Sequence, residues 1–150
     1  QLRDEAGQLV PADTVGEQYV DACRSAGTTA QWCSTGDLAV ANEAGFYFLR
    51  GRTHERVVSG GVNVFPEQVQ QLIGQHPAVQ TCAVVGINDA IFGERLKAYL
   101  VLPAYAQLSE EELRTWLSLR ASREQQPRDV VFVSELPLTA LGKVDKKALE

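Results

Sequence analysis

Lys143 closes the run Pro137-Leu138-Thr139-Ala140-Leu141-Gly142-Lys143, in which proline, threonine and glycine shape an exposed loop. An ammonium on such a loop is a mobile point charge that can neutralise negative charge developing on carboxylate or phosphate oxygens. On its own, a Gly-Lys pair is equally an ordinary solvated loop. Asp37, in Ser34-Thr35-Gly36-Asp37, offers a second group. A carboxylate there can accept two hydrogen bonds from a vicinal diol, as ribose-binding sites do, or can simply close a turn. Gly51-Arg52 stands where the composition changes, and its guanidinium can bond a ligand or remain a solvated linker charge. Ser59-Gly60-Gly61-Val62-Asn63-Val64-Phe65-Pro66 contains adjacent glycines, which admit unusual dihedrals and let a ligand approach the backbone. The plain alternative is a tight turn into a helix. No Gly-Lys-Ser/Thr follows, so this is not a Walker loop, and it is not a dinucleotide fingerprint either.

Two differently patterned regions must position these groups. Residues 1–51 read as short strands and turns. Asp4-Glu5-Ala6-Gly7 is a turn and Val15 to Val20 a strand, while Leu38-Ala39-Val40 and Phe46 to Leu49 flank a hairpin loop, Asn42-Glu43-Ala44-Gly45. Residues 22–31 are small and polar. This region has too little apolar material for a core of its own, so it is expected to belong to a larger sheet. From residue 56 strands and helices alternate. Pro66 suits the first position of a helix, where a missing N–H does no harm, and Val69, Leu72, Ile73 and His76 are expected to form one buried stripe. Thr81 to Gly86, Leu96 to Val101 and Val130 to Val133 are core strands. Ser109-Glu110-Glu111-Glu112 is a capping box opening a second helix with Leu113, Trp116 and Leu117 inward, and a last helix is expected from Val144 to Leu149. The fold class is α+β: a small domain of about 95 residues with about three core strands packed by helices, preceded by a β-rich tail.

The formal charge of -5 argues against nucleic acid as a partner, although a local basic pocket is compatible with it. No apolar run reaches the length needed to span a bilayer. Cys23, Cys33 and Cys82 form no Cys-x-x-Cys, and with only His54 and His76 beside them no metal site is expected. A cytoplasmic, reducing location is the simplest expectation. Methionine is absent, position 1 included, so the chain is expected to be a piece of a longer protein.

In order, Thr35-Gly36-Asp37, Gly51-Arg52, the Ser59-Gly60-Gly61-x-Asn63-x-x-Pro66 run and Pro137-Leu138-Thr139-x-x-Gly142-Lys143 resemble the ANL superfamily of AMP-forming adenylating enzymes. The form of the third motif resembles the acyl- and aryl-CoA synthetase branch. Ile87-Asn88-Asp89 with Gly93-Glu94 resembles the family's strand-turn-strand. The resemblance implies that residues 1–51 end a large N-terminal domain, 52–55 are a hinge, and 56–150 form a C-terminal lid. It implies a small carboxylic acid, ATP with Mg and CoA as substrates, with a carrier-protein thiol as the alternative acceptor. The lid would serve adenylation in one position and thioester formation in another. By the same resemblance Lys143 is catalytic in adenylation, Asp37 and Arg52 bind AMP or ATP, and Ser59, Gly60 and Gly61 form the CoA loop. The fragment alone is expected to be inactive without its N-terminal domain. A non-catalytic lid-like interaction module is the alternative from another class.

The chain departs from the family pattern at three places. His54 occupies the hinge position, where the family usually has an acidic residue or lysine. Cys33-Ser34 replaces the usual aromatic-Arg before Thr35-Gly36-Asp37, and the stretch between Val20 and Trp32 is short.

Overall fold

A computed structural model describes residues 1–21, 32–91 and 93–149, and the chain divides into two units, Gln1–His54 and Glu55–Glu150. The short stretch between Val20 and Trp32 falls mostly outside the described residues.

The first unit is one antiparallel sheet of four strands in sequence order: β1 (Leu2–Arg3), β2 (Val15–Asp21), β3 (Trp32–Ala41) and β4 (Tyr47–Arg52). Its buried side chains are few, chiefly Leu2, Leu38, Ala39 and Val40. Phe46, Tyr47, Phe48 and Leu49 at the outer edge are exposed, Phe46 and Leu49 by 67% each. Within this unit the sheet thus presents a run of exposed apolar side chains among the described residues, as the poverty of core residues predicts.

The second unit opens with β5 (Val57–Ser59) and β6 (Val62–Val64), followed by α1 (Pro66–Ile73), β7 (Thr81–Asp89), β8 (Gly93–Val101), α2 (Glu110–Ser118) and β9 (Asp129–Phe132). Pro66 opens α1, and α2 carries the full capping box, with Ser109 and Glu112 each accepting from the other's backbone N–H. β7 and β8 pair antiparallel along nine residues, from Thr81 opposite Val101 to Asp89 opposite Gly93. Along the other edge of β8, β5 meets it at Gly93 and β9 runs parallel to Lys97–Leu100.

Both faces of this sheet are covered, which is why Cys82-Ala83-Val84-Val85 reads as an unbroken apolar run. Cys82 and Val84 face one core with Leu96, Ala98 and Leu100, closed by Val69 and Ile73 of α1 and Leu113 and Leu117 of α2. Ala83 and Val85 face a second, smaller core with Val101, Leu136 and Leu149. The three expected core strands are therefore β7, β8 and β9, joined by a β5–β6 hairpin not read from the sequence.

The expected helix at Val144 to Leu149 is instead a single 3₁₀ turn, Lys146–Ala148. Val144 is held in a bridge to Leu138, and the Tyr99 hydroxyl donates to the Leu149 carbonyl at 2.7 Å, so both ends of the segment are tied down.

Gly86 marks the tightest approach in the second unit. A Cβ there would stand 2.4 Å from Cγ2 of Val57, which is 3% exposed and has no room to retreat. Gly86→Ala is expected to destabilise the chain by about 1–3 kcal/mol through overpacking. Thermal melting checks this, and adding Val57→Ala should recover part of the loss.

Candidate functional site

Asp37 and Arg52 are partners in the β3–β4 ladder, and Arg52 Nε lies 3.0 Å from Asp37 Oδ1. The ladder shifts register between Leu38 and Ala39, which leaves Arg50 as the extra residue of β4. Gly36, immediately before the aspartate, has φ +72°, a conformation open to glycine at little cost. Two hydroxyls fix this stretch. Ser34 Oγ accepts from the Gly36 N–H at 2.9 Å and donates to the Glu17 carboxylate. Thr35 Oγ1 accepts from the Asp37 N–H at 3.3 Å and donates to the Gln18 carbonyl at 3.2 Å. Ser34 thus ties β3 to β2. A half-exposed ion pair adds at most about 1 kcal/mol of stability, so the work of Arg52 is orientation. It holds one carboxylate oxygen of Asp37 and leaves Oδ2 without a hydrogen bond among the described residues.

Gly60 and Gly61 form the two-residue turn of the β5–β6 hairpin, with Ser59 paired to Val62. Their φ values, +58° and +84°, are both positive, the signature of a type I′ turn, which favours glycine at both positions. The turn therefore returns the chain as a strand, and the helix begins only at Pro66. A Cβ on Gly61 would meet nothing within 4 Å, so what favours glycine there is the positive φ.

Beside this turn lies a pocket of about 220 Å³, lined by Ser59, Gly60, Arg95, Arg123, Glu124 and Arg128 among others. Arg95 is committed to Asp89 and Asp129, at 3.3 and 3.1 Å. Arg114, paired with Glu110 one helical turn back, donates to the carbonyls of Pro127 and Arg128 and so fixes the wall that carries Arg128. Arg123 and Arg128 line the same pocket beside the paired Arg95, with Glu124 among them. None of these arginines is a candidate in the sequence, where Arg95 lies far from Arg123 and Arg128. The only signal was that a local basic pocket fits an acidic chain.

Lys143 sits at the end of a hydrogen-bonded loop. The Thr139 N–H donates to the Lys143 carbonyl at 2.7 Å, the Gly142 N–H to the Thr139 carbonyl at 2.9 Å, and the Lys143 N–H to Thr139 Oγ1 at 3.3 Å. Gly142 has φ +75° and open space where a Cβ would be. The same five-residue pattern recurs at Asp4–Gln8 and Asn42–Phe46, with Gly7 at +78° and Gly45 at +83° and the Asp or Asn side chain as acceptor. The loop is thus a general turn built from a short polar residue and a glycine three places on. What distinguishes the third copy is its exposed lysine, whose ammonium makes no ion pair among the described residues.

His54 closes the first unit, within the 3₁₀ turn Thr53–Glu55. Asp37 and Arg52 therefore meet within the first unit, while Ser59, Gly60, Gly61 and Lys143 belong to the second, on two separate loops.

The family described as AMP-binding enzyme C-terminal domain matches residues 68–143, just over half of the chain, and the match ends on Lys143. The chain belongs to this family. It is 38% identical to the medium/long-chain-fatty-acid–CoA ligase FadD8 of Mycobacterium tuberculosis, over 99% of this chain and 29% of that protein. The o-succinylbenzoate CoA synthetase MenE of Bacillus subtilis, solved with an acyl-adenylate intermediate, superposes with a TM-score of 0.86 at 27% identity, over 99% of this chain and 33% of that one. ATP-bound MatB of Rhodopseudomonas palustris gives 0.83 at 28% identity, over 99% and 32%. Membership of the ANL superfamily and the α+β fold class are thereby borne out. The chain spans about a third or less of the length of these relatives. No helix among the described residues is long and apolar enough to cross a membrane.

Proposed function

We propose that this chain is the C-terminal part of an ATP-dependent, AMP-forming acid–thiol ligase, with residues 1–51 ending the large domain, 52–55 the hinge and 56–150 the lid. The observation that carries this reading is the exposed ammonium of Lys143 at the end of a glycine loop pinned by its own backbone, where the family match also ends. Adenylation brings an anionic carboxylate against an anionic α-phosphate, and a cation between them lowers that barrier. Asp37 takes the ribose hydroxyls of AMP or ATP on the oxygen that Arg52 leaves open. Mg enters with the ATP phosphates and is held mainly by the N-terminal domain. His54 is the hinge residue. The chain alone is inactive, because most of the ATP and acyl sites lie outside it.

The second half-reaction uses the Ser59-Gly60-Gly61 turn, whose bare backbone admits a thin pantetheine arm. CoA is favoured over a carrier-protein thiol by Arg123 and Arg128, which line the pocket beside that turn. CoA carries phosphates on its nucleotide end that a carrier-bound arm lacks, and arginine is suited to hold them. In the full-length enzyme, Arg123→Ala is expected to raise KM for CoA by about tenfold, a loss of about 1.4 kcal/mol. KM for pantetheine should not change. Steady-state kinetics with both thiols checks this. A wild-type enzyme that handles a phosphopantetheinylated carrier better than CoA would establish the carrier reading instead.

A further inference from the structure

Lys146 lies three residues past Lys143, in the 3₁₀ turn Lys146–Ala148, and it reaches two carboxylates from distant parts of the second unit. Its ammonium lies 2.7 Å from Glu67 Oε1 and also pairs with Glu55. Glu67 is in the first turn of α1, and Glu55 is the first residue of the unit, next to His54. All three side chains are partly buried, at 28–31% exposure, whereas Lys143 and Lys147 are exposed. Burial, followed by the adjacent Glu55 carboxylate, pushes the Glu67 carboxyl above the usual carboxylate range. Burial works against the charged form of Lys146, but the carboxylates of Glu55 and Glu67 outweigh it and raise its pKa. One cation shared by two carboxylates is gripped from both sides, and its neighbours are fixed as well. The Asp145 N–H donates to the Pro137 carbonyl at 2.8 Å, and Val144 bridges Leu138, so the base of the Lys143 loop adjoins this cluster without slack.

We propose that Lys146 is a positioning residue: by holding Glu55 and Glu67 together it ties the Lys143 loop to the end of the hinge. A rotation about His54 then carries the loop as one body with β5, α1 and the sheet. The cluster acts on the step that uses Lys143 and leaves the other lid position largely untouched. This rests on the reading of Lys143 and His54 given above.

The test uses the full-length enzyme and measures the two half-reactions separately. Lys146→Met is expected to lower kcat for acyl-adenylate formation about tenfold, with KM for ATP and acid, and thioester formation from supplied adenylate, within about twofold. Lys146→Arg should restore most of the loss, since it keeps the cation. Glu55→Ala provides a second route: it leaves one cation facing one carboxylate, so the domain folds, yet it cuts the tie to the hinge. The same selective loss is expected there. Equal loss in both half-reactions for Lys146→Met, or an unimpaired Glu55→Ala enzyme, overturns the proposal. Lys143→Ala in the same assay separates the two claims. If it is silent, the reading of the site fails; if it is selective while Lys146→Met and Glu55→Ala are not, only the role of Lys146 fails.

Discussion

Lys143→Ala in the full-length enzyme is expected to lower acyl-adenylate formation by about a thousandfold while thioester formation from supplied adenylate stays within about twofold. The size follows from electrostatics. A unit charge about 4 Å from each reacting anion, at an effective dielectric near 20, is worth roughly 4 kcal/mol. That converts to on the order of a thousandfold in rate. The selectivity follows from chemistry, because the thiol attacks a mixed anhydride and brings no second anion to be neutralised. The variant should fold normally. Its backbone N–H and carbonyl still close the loop with Thr139, and the side chain it loses is solvent-exposed. Rapid-quench measurement of each half-reaction checks the prediction, and an equal fall in both would remove Lys143 from the chemistry.

Asp37→Ala is expected to weaken ATP binding by about ten- to a hundredfold. Two hydrogen bonds from ribose hydroxyls to one carboxylate are charge-assisted, each worth about 1.5–3 kcal/mol, less the water they displace. A variant comparison with nucleotide analogues isolates this term. Wild-type enzyme should bind 2′,3′-dideoxy-ATP far more weakly than ATP, whereas the Asp37→Ala enzyme should bind the two within about twofold. Calorimetric titration supplies the four affinities. Should Asp37→Ala weaken both nucleotides equally, the aspartate serves β3 and Arg52 and does not touch the ribose.

The elements that show in the sequence are those whose cause is local. Ser109 with Glu112 makes a capping box from four adjacent residues, Pro66 announces a helix start, and Asn42 with Gly45 announces a turn. Each needs no knowledge of the rest of the chain. β7 and β8 extend past their apolar runs because Asn88, Asp89 and Gly93 to Arg95, which are polar or small, are held in the sheet by cross-strand pairing. The residues after Val144 were read as a helix because Lys146-Lys147-Ala148-Leu149 has helical propensity. Tertiary contacts override it, with Leu149 buried and its carbonyl taken by Tyr99.

The candidate site divides in the same way. Asp37, Arg52, the glycine pair and Lys143 are legible as an ordered set of motifs. That Asp37 and Arg52 touch, and that Gly60 and Gly61 turn a hairpin, is set by strand register. Arg95, Arg123 and Arg128 converge only because β8 and the chain after α2 are brought to the β5–β6 turn. Lys146 was hidden for a related reason: beside Lys147 it reads as a second solvated charge, and its two carboxylates lie far back in the chain.

The central claim is that the whole enzyme activates a carboxylate by transferring AMP before any thiol takes part. The direct measurement is exchange of labelled pyrophosphate into ATP by the full-length enzyme, assayed across a panel of fatty and aromatic acids. Exchange that depends on the acid, proceeds without CoA and is lost in the Lys143→Ala enzyme is the result expected. Release of ADP and phosphate, or exchange that begins only when the thiol is added, would contradict it.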